Sequence, residues 1–146
     1  MKIALASDHK GYDLKKHLIE ALQNSYEIID LGTNSTESVD FPVYGIKAGE
    51  CIKNKEADLG IVICGTGIGI SIAANKVKGI MCAKINNVEE AKLAKLHNRA
   101  NMLALSGSKT KEEALEMINA FLNEKPLEDE KYLRRINQIK DYENEY

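Results

Sequence analysis

A cysteine followed by alternating glycines is the feature of this sequence best suited to chemistry. The segment runs Cys64-Gly65-Thr66-Gly67-Ile68-Gly69-Ile70-Ser71, after an apolar run and before a stretch of small residues. Glycines at a strand-to-helix turn let several backbone N–H groups converge on a phosphate or on an oxyanion formed during reaction. The spacing matches neither a Walker loop nor the dinucleotide-binding fingerprint. The segment indicates an anion-binding loop, or else tight packing of strand against helix.

Cys64 itself is a candidate base or nucleophile. It ends a predicted buried strand and faces the N-terminus of the following helix, whose partial positive charge favours the thiolate. Buried cysteines are usually small inert hydrophobes, and we interpret Cys51 and Cys82 in that way. The position of Cys64 beside the glycine loop favours a functional role.

Polar residues at two other turns are further candidates. Asp8 and His9 directly follow the first predicted strand, either as a capping Asp beside a surface His or as part of a site. His97 precedes Asn98 and Arg99 at the end of a predicted helix, where a histidine either offsets the helix dipole or transfers protons.

Basic residues cluster near the C-terminus, at Lys131, Arg134 and Arg135. Such a cluster is usually a solvated face, but guanidinium groups also bind phosphate in bidentate fashion. A thiol base, an oxyanion loop, a histidine and arginines together fit proton abstraction next to a carbonyl in a phosphorylated substrate.

The elements that must position these residues alternate along the chain. Short apolar runs predict five strands, at Lys2–Ala6, Tyr26–Asp30, Leu59–Cys64, Gly79–Ala83 and Met102–Leu105. Segments with helical periodicity predict helices at Tyr12–Asn24, Val43–Lys53, Gly69–Lys76, Val88–His97 and Lys111–Leu122. This alternation predicts an α/β fold: a Rossmann-like three-layer α/β/α sandwich around a five-stranded parallel sheet, in one domain spanning residues 1–146.

A last helix is predicted over Glu128–Tyr142, with Leu133, Ile136 and Ile139 on one apolar stripe. Because it trails beyond the final strand, it could pack on its own domain or reach a second subunit.

Composition excludes several classes of function. The net charge is −2, so no large positive field draws the chain to nucleic acid or to an anionic membrane. The longest uncharged stretch, between Asp58 and Lys76, contains four glycines and is too short to span a bilayer. The apolar run at the N-terminus is too short for a secretory signal, and three scattered cysteines fit free thiols in a reducing cytoplasm.

Four segments occur together in a familiar order: Ser7–Tyr12, Glu37–Pro42, Gly60–Lys76 and His97-Asn98. With them the chain closely resembles the ribose/galactose isomerase family, which includes ribose-5-phosphate isomerase B and the galactose-6-phosphate isomerase subunits. The resemblance runs from Lys2 to about Leu122, and the block from Cys64 to Lys76 is highly specific.

The resemblance implies an aldose-ketose isomerase that needs neither metal nor cofactor. It would interconvert ribose 5-phosphate and ribulose 5-phosphate through an enediolate, in the pentose phosphate pathway. Cys64 would then move the proton between C1 and C2, with Thr66 beside it. The developing oxyanion would be held by the loop amides, those of Gly65, Gly67, Ile68 and Gly69.

The resemblance also implies that Asp8 and His97 assist opening of the sugar ring, that Asn98 binds sugar oxygens and that His9 helps bind the phosphate. Members of the family are homodimers whose sites combine both subunits. We therefore expect the His97 segment and the last helix to serve the Cys64 of a neighbour, with further pairing into a tetramer left open.

Some positions depart from the family pattern. Lys131 replaces an arginine of the C-terminal segment, whereas Arg135 keeps its place. The segment Ser106-Gly107-Ser108-Lys109 is shortened and lacks an arginine, Arg99 stands where an acidic or amide residue is usual, and Phe41 replaces a tyrosine. We expect Lys131 and Arg135 in the phosphate clamp, with Arg99 or Lys109 taking over part of it.

Three alternatives remain to be weighed. A six-carbon sugar phosphate, such as allose or galactose 6-phosphate, would keep the mechanism, although intact Asp8-His9 and His97-Asn98 pairs favour the pentose. A catalytically silent interaction subunit is disfavoured because Cys64, His97 and Asp8 are retained. The third alternative is a small signalling or nucleotide-binding α/β domain. It would need either a carboxylate in place of Cys64, to accept phosphate, or an acidic contact for the ribose, to bind a nucleotide.

Overall fold

The computed structural model describes residues 1–146 and contains a central sheet of five parallel strands. The strands are β1 (Lys2–Ser7), β2 (Glu27–Asp30), β3 (Leu59–Cys64), β4 (Cys82–Lys84) and β5 (Met102–Ser106). Their order across the sheet is β2-β1-β3-β5-β4, so that β3 lies at the centre and β2 and β4 form the edges. The predicted α/β fold with its five-stranded parallel sheet is confirmed.

Helices cover both faces of the sheet. They are α1 (Tyr12–Leu22), α2 (Phe41–Lys53), α3 (Ile68–Asn75), α4 (Val88–Leu96), α5 (Lys111–Asn123) and α6 (Glu130–Glu145). One core lies between the sheet and α1, α4 and α5, and a second lies between the sheet and α2 and α3. None of the helices is long and apolar enough to cross a membrane.

The central strand β3 shows why the sheet needs both layers. All six of its residues are buried. Ile61 and Ile63 point into the core beneath α1, α4 and α5, whereas Val62 and Cys64 point toward α2 and α3. Alternate residues of a strand face opposite sides of a sheet, so an apolar strand without polar alternation requires cover on both faces.

Helices α2 and α3 pack closely against each other. A Cβ atom at Gly45 would lie 2.9 Å from the carbonyl oxygen of Ile70, and one at Gly49 would lie 2.8 Å from a methyl group of Val77. These two glycines, four residues apart on one face of α2, let α3 approach more closely than any larger side chain would allow. The packing fixes the axis of the helix that follows Cys64.

The prediction of β4 was wrong at both ends, because the strand spans Cys82–Lys84 and not Gly79–Ala83. The side chain of Asn101 accepts a hydrogen bond from the N–H of Met81 at 2.8 Å and donates one to the carbonyl of Gly79 at 2.9 Å. Gly79 has a positive φ of 88°, so the backbone turns at this residue and is not yet extended as a strand. The residues before Cys82 are therefore held as a turn.

Helix boundaries differ from prediction by smaller amounts. Helix α2 starts at Phe41, with Pro42 in its first turn, where the absence of a proline N–H costs no hydrogen bond. Helix α6 starts two residues later than predicted and continues to Glu145. Only Ile136 of α6 is buried, so this helix packs loosely on the rest of the chain.

Candidate functional site

A pocket of 440 Å³ opens at the carboxyl ends of β1 and β3. Three segments line it: Asp8, His9 and Lys10; Ser38, Val39, Asp40 and Phe41; and Cys64, Gly65, Thr66 and Gly69. Ligands bind beyond the carboxyl ends of the strands in open parallel sheets, and the pocket follows that rule. The predicted anion-binding loop therefore lies beside the predicted Asp8-His9 pair.

Cys64 is the thiol of this pocket. Its residue is 5% exposed, and its Sγ accepts a hydrogen bond from the N–H of Gly67 at 3.2 Å. Gly67 has φ 80°, and a Cβ there would lie 2.9 Å from the backbone of Leu105. Only glycine combines a favourable positive φ with the absence of a Cβ, so glycine is required here for the turn that brings the N–H to the sulfur. A donor aimed at the sulfur stabilises a thiolate.

The rest of the loop presents backbone donors to the same pocket. The N–H groups of Gly65 and Thr66 make no hydrogen bond within the protein. Gly69 belongs to the first turn of α3, where backbone N–H groups have no partner inside the helix. The N–H of Ile68 is turned back onto the hydroxyl oxygen of Thr66, at 3.1 Å. Several donors near one thiol suit a developing negative charge.

Asp8 has a structural role and also lines the pocket. Its Oδ1 accepts hydrogen bonds from the N–H groups of Lys10 at 2.9 Å and Gly11 at 3.1 Å, which closes the turn into α1. Its Oδ2 makes no hydrogen bond within the protein. These hydrogen bonds form a turn before α1, whose N-cap is Gly11 with no side-chain hydrogen bond, and one carboxylate oxygen of Asp8 remains for a ligand.

His9 ties a second loop to the pocket. Its Nδ1 accepts a hydrogen bond from the N–H of Val39 at 3.2 Å. A ring nitrogen that accepts a hydrogen bond carries no proton, so the neutral ring bears its proton on Nε2 and can donate it to a ligand. The loop containing Ser38, Asp40 and Phe41 is held across the pocket by this contact.

The sequence alone predicted no binding role for this second loop or for Lys10. The segment Glu37–Pro42 was one of the four that carried the family resemblance, and that was the available signal. Its place beside Cys64 depends on the contact between His9 and Val39, which are 30 residues apart.

His97, Asn98 and Arg99 lie at the opposite end of the sheet. Helix α4 runs back from the carboxyl end of β4, so these residues precede β5 at its amino end, where Met102 pairs with Gly60. Cys64 pairs with Ser106 at the other end. The length of β3 separates the two ends by roughly 16 Å. Within one chain, His97 is therefore far from the thiol.

The basic residues of α6 lie at the His97 end. The ring of Tyr132 stacks on His97 with centroids 4.4 Å apart, and the Lys131 Nζ lies 4.9 Å from the centroid of Tyr132. Arg134 pairs with Glu130 on the same helix, whereas Arg135 has no ion pair. The structure thus divides the predicted site residues into two clusters at opposite ends of the sheet. The thiol cluster comprises Asp8, His9, Cys64, Gly65, Thr66 and Gly69. The histidine cluster comprises His97, Asn98, Arg99, Lys131 and Arg135.

Lys109 does not line the Cys64 pocket. Its Nζ lies 3.9 Å from a carboxylate oxygen of Glu113, and the residue lines a separate 470 Å³ pocket with Asp13 and His17. The expectation that Lys109 contributes to the clamp therefore has no support from its position. Lys10, which lines the Cys64 pocket, is the lysine placed near the thiol.

The other two cysteines are poor nucleophiles. Burial raises the pKa of the Cys82 thiol to about 12. Burial and the nearby carboxylate of Glu56 raise the pKa of Cys51. Both stay protonated at neutral pH, in line with the interpretation of these two residues as inert. No group of three or more His, Cys, Asp or Glu side chains is placed to hold a metal ion.

The chain is similar to known proteins over nearly its whole length. The Ribose/Galactose Isomerase family matches residues 3–139. Ribose-5-phosphate isomerase B of Mycobacterium leprae is 38% identical over 146 residues, covering 98% of this chain and 90% of that protein.

Solved structures are also similar. That of Clostridium thermocellum ribose-5-phosphate isomerase B has a TM-score of 0.94 at 43% identity, covering 100% of this chain and 99% of that one. That of the Mycoplasma genitalium enzyme with bound ribulose 5-phosphate has a TM-score of 0.90 at 40% identity, covering 99% and 97%. The extent of the match and the thiol loop at its centre lead to one conclusion: the chain belongs to the ribose/galactose isomerase family.

Proposed function

We propose that this protein is an aldose-ketose isomerase that interconverts ribose 5-phosphate and ribulose 5-phosphate. The observation that carries the proposal is the Cys64 thiol, held beside unpaired backbone donors in a pocket that Asp8 and His9 also line. The relatives named ribose-5-phosphate isomerase B support the choice of substrate, and one of them binds ribulose 5-phosphate.

The chemical step is a proton transfer between neighbouring carbons. The Cys64 thiolate removes the proton from C2 of the open-chain aldose, and the electron pair of that bond forms the C1–C2 double bond of an enediolate. Negative charge then develops on O1, where the N–H groups of Gly65, Thr66 and Gly69 stabilise it. The thiol returns its proton to C1, the hydroxyl proton of O2 passes to O1, and the ketose carbonyl forms at C2. Thr66 lines the pocket together with Cys64, and its hydroxyl is the group that we assign to carry that second proton.

Ring opening comes before the transfer, because the aldose is mostly cyclic. It requires removal of a proton from the O1 hydroxyl and delivery of a proton to the ring oxygen. The free Oδ2 of Asp8 can accept the first proton. A histidine suits the second role because its ordinary pKa lies near neutrality. That histidine is His97, which can reach the pocket only from another subunit.

The separation of the two clusters supports a homodimer with shared sites. Helix α3 begins beside Cys64 and ends at Asn75, which lines a groove together with Asn98 of the histidine cluster. If two copies of α3 pair antiparallel about a twofold axis, each thiol cluster meets the partner's histidine cluster, and one contact completes two sites.

An exposed apolar face supports this pairing. Ile68 and Ile72 on α3 are each 56% exposed, and Phe41, Val43 and Ile46 on α2 are also exposed. Large apolar residues clustered beside a pocket mark an interaction surface more often than a solvated one. We name these five residues the α2/α3 face and propose that it is the dimer contact.

Helix α6 leaves room for the same partner. A groove of 570 Å³ separates Ile139 and Tyr142 of this helix, and Tyr146 just after it, from Ile80 and Cys82 beside the sheet edge. In the dimer, Lys131 and Arg135 would join His9 of the other subunit in binding the phosphate, and Asn98 would bind sugar oxygens. Arg99 would supply a further positive charge near the phosphate.

The test compares protein treated with a chelator, the Cys64→Ala variant and the Cys82→Ala variant as a matched cysteine control. Wild type should convert ribose 5-phosphate to ribulose 5-phosphate, and Cys64→Ala should lose ~10² to 10⁴-fold or more in kcat, the range for a positioned base. Cys82→Ala should retain nearly full activity, because that thiol lies outside the pocket.

Allose 6-phosphate is the second substrate in this assay. Activity on the hexose alone would replace the pentose as substrate while keeping the mechanism. Inactivity on both sugars would favour an interaction subunit.

We also propose a cytoplasmic location, since all three cysteines are free thiols.

A further inference from the structure

Behind the thiol loop, at the end of β5, lies a serine that has no place in the mechanism so far. Ser106 is 9% exposed, and its hydroxyl donates a hydrogen bond to the carbonyl of Gly65 at 2.7 Å. Its oxygen is also 2.7 Å from the hydroxyl oxygen of Ser108 and accepts the N–H of Ser108 at 3.2 Å. Because the proton of Ser106 is directed to a carbonyl, which can only accept, the hydroxyl of Ser108 must be the donor of the pair.

These contacts hold two successive peptide groups of the loop. The carbonyl of Cys64 accepts the N–H of Gly107 at 2.8 Å, and the carbonyl of Gly65 accepts the hydroxyl of Ser106. Both carbonyls therefore point toward the end of β5. In a trans peptide the N–H is antiparallel to the C=O, so the N–H groups of Gly65 and Thr66 point away from β5.

The side away from β5 is the side of the pocket. Gly65 and Thr66 line it with Asp8, whereas Ser106 and Ser108 do not. Neither of the two N–H groups has a partner in the protein. Ser106, with Ser108 bound to it, thus holds the carbonyl of the Gly65–Thr66 peptide, while the N–H of the same peptide points into the pocket.

A glycine peptide is easily reversed, because no Cβ opposes rotation about its backbone bonds. Rotation of the Gly65–Thr66 peptide would replace a donor by a carbonyl oxygen and turn attraction for an oxyanion into repulsion. Ser106 is the only side chain that hydrogen-bonds the Gly65 carbonyl.

We propose that Ser106, aligned by Ser108, is a positioning residue that holds the Gly65–Thr66 peptide with its N–H toward the reacting oxygen. This inference rests on the proposed isomerase function. It assigns Ser106 an effect on the enediolate, which carries the charge, and little effect on the uncharged sugar oxygens of the bound substrate.

The experiment compares Ser106→Ala with Ser71→Ala. Ser71 is a close control, since it is also 9% exposed and its hydroxyl also donates to a backbone carbonyl at 2.7 Å, that of Ile68 within α3. Ser106→Ala should lower kcat by roughly 10- to 100-fold with KM changed less than about twofold, whereas Ser71→Ala should leave both close to wild type. Ser106→Thr, which keeps the hydroxyl, should restore most of the lost kcat.

Binding of two ligands distinguishes a loss of peptide positioning from a general disruption of the site. A four-carbon hydroxamic acid with a terminal phosphate mimics the planar enediolate, and ribitol 5-phosphate mimics the open-chain sugar without its carbonyl. Ser106→Ala should weaken binding of the hydroxamate by about the same factor as kcat and leave ribitol 5-phosphate binding unchanged. If Ser106→Ala does not fold, Ser108→Ala takes its place, with a several-fold loss of kcat expected.

An active wild type with unchanged kcat in Ser106→Ala would overturn the inference, as would equal weakening of both ligands. No loss of kcat in Ser108→Ala, where that variant must be used, would do the same. A wild type inactive on ribose 5-phosphate and on allose 6-phosphate would overturn the proposed function itself, and the inference with it.

Discussion

At the residue scale, the three cysteines of the chain lie in different environments. Cys64 receives a backbone hydrogen bond and lines a pocket, Cys82 has a pKa raised to about 12 by burial, and Cys51 has a pKa raised by burial and by Glu56. Burial without a donor or a positive charge opposes ionisation of a thiol. The environment, and not the residue type, distinguishes Cys64 as the proposed catalytic thiol.

The raised pKa of Cys82 makes a prediction about stability at alkaline pH. Its folded pKa of about 12 exceeds the ordinary value of 9.0, so above pH 9 the unfolded chain releases a proton that the folded chain keeps. The contribution of this thiol to the free energy of unfolding is therefore fully present below pH 9. It declines as pH rises further, by up to about 1.4 kcal/mol per pH unit for one such thiol. Cys82→Ala should decline less steeply between about pH 9 and 10.

Urea denaturation of the two proteins at several pH values measures this difference. Any loss of packing in Cys82→Ala shows at pH 7 and is subtracted, because packing does not depend on pH. Parallel declines in the two proteins would contradict the assignment of the effect to this thiol.

At the element scale, helix ends matter as much as helix faces. Helix α5 begins at a reciprocal cap: the hydroxyl of Thr110 accepts the N–H of Glu113 at 3.1 Å, and the carboxylate of Glu113 accepts the N–H of Thr110 at 3.0 Å. Hydrogen bonds from the backbone and hydroxyl of Thr110 lower the pKa of Glu113. A carboxyl with a lowered pKa loses its stabilising effect as pH falls through the folded value, so the cap weakens in acid.

Removal of this cap has a predictable cost. Thr110→Ala should lower the free energy of unfolding by about 1 kcal/mol, because the N–H of Glu113 loses its acceptor at a helix start. Thr36→Ala is the matched control, as Thr36 is exposed in a loop and makes no hydrogen bond. Urea denaturation at pH 7 measures both, and equal stabilities of the two variants would show that the cap contributes nothing.

At the scale of the whole molecule, the sheet separates two groups of proposed site residues. The thiol cluster lies at the carboxyl ends of β1 and β3, and the histidine cluster lies near the amino end of β5. No motion of side chains spans the length of β3. A second copy, paired through the α2/α3 face, is the simplest way to bring the clusters together.

Shared sites predict complementation between two inactive variants. Cys64→Ala and His97→Ala should each lose activity as homodimers. In a mixed dimer, the His97→Ala subunit supplies Cys64 and the partner's His97 is intact, so one of two sites works. Random mixing of equal amounts should restore about one quarter of wild-type activity, since half the dimers are mixed.

The matched control mixes Cys64→Ala with a chain carrying both substitutions, which should remain inactive.

Ile72→Glu places a charge on the α2/α3 face. This variant should be monomeric in sedimentation and should have little activity in rate measurements. Full activity of such a monomer, or no recovery in the mixed sample, would exclude sites shared between subunits.

Much of the fold and part of the site could be predicted from local features of the sequence. The buried strand ending at Cys64 is apolar throughout, and the glycines after it require a turn, so the loop and the thiol at its start were predicted together. Asp8 was predicted at a turn for the same reason. These features depend on neighbours within a few residues, and sequence patterns record such neighbours directly.

Other features depend on contacts between distant residues. The start of β4 is set by Asn101, about 20 residues further on, and the loop before α2 is placed by His9. Ser106 meets Gly65 across 41 residues only because β3 and β5 are adjacent.

The sequence by itself determined the alternation of strands and helices, the thiol and its loop, since these follow from periodicity and from the backbone freedom of glycine. Only the tertiary structure decided which peptide faces the pocket, where α6 lies and that His97 is a sheet length away from Cys64 in the same chain. Strand order fixes those distances, and strand order arises from packing of the whole chain.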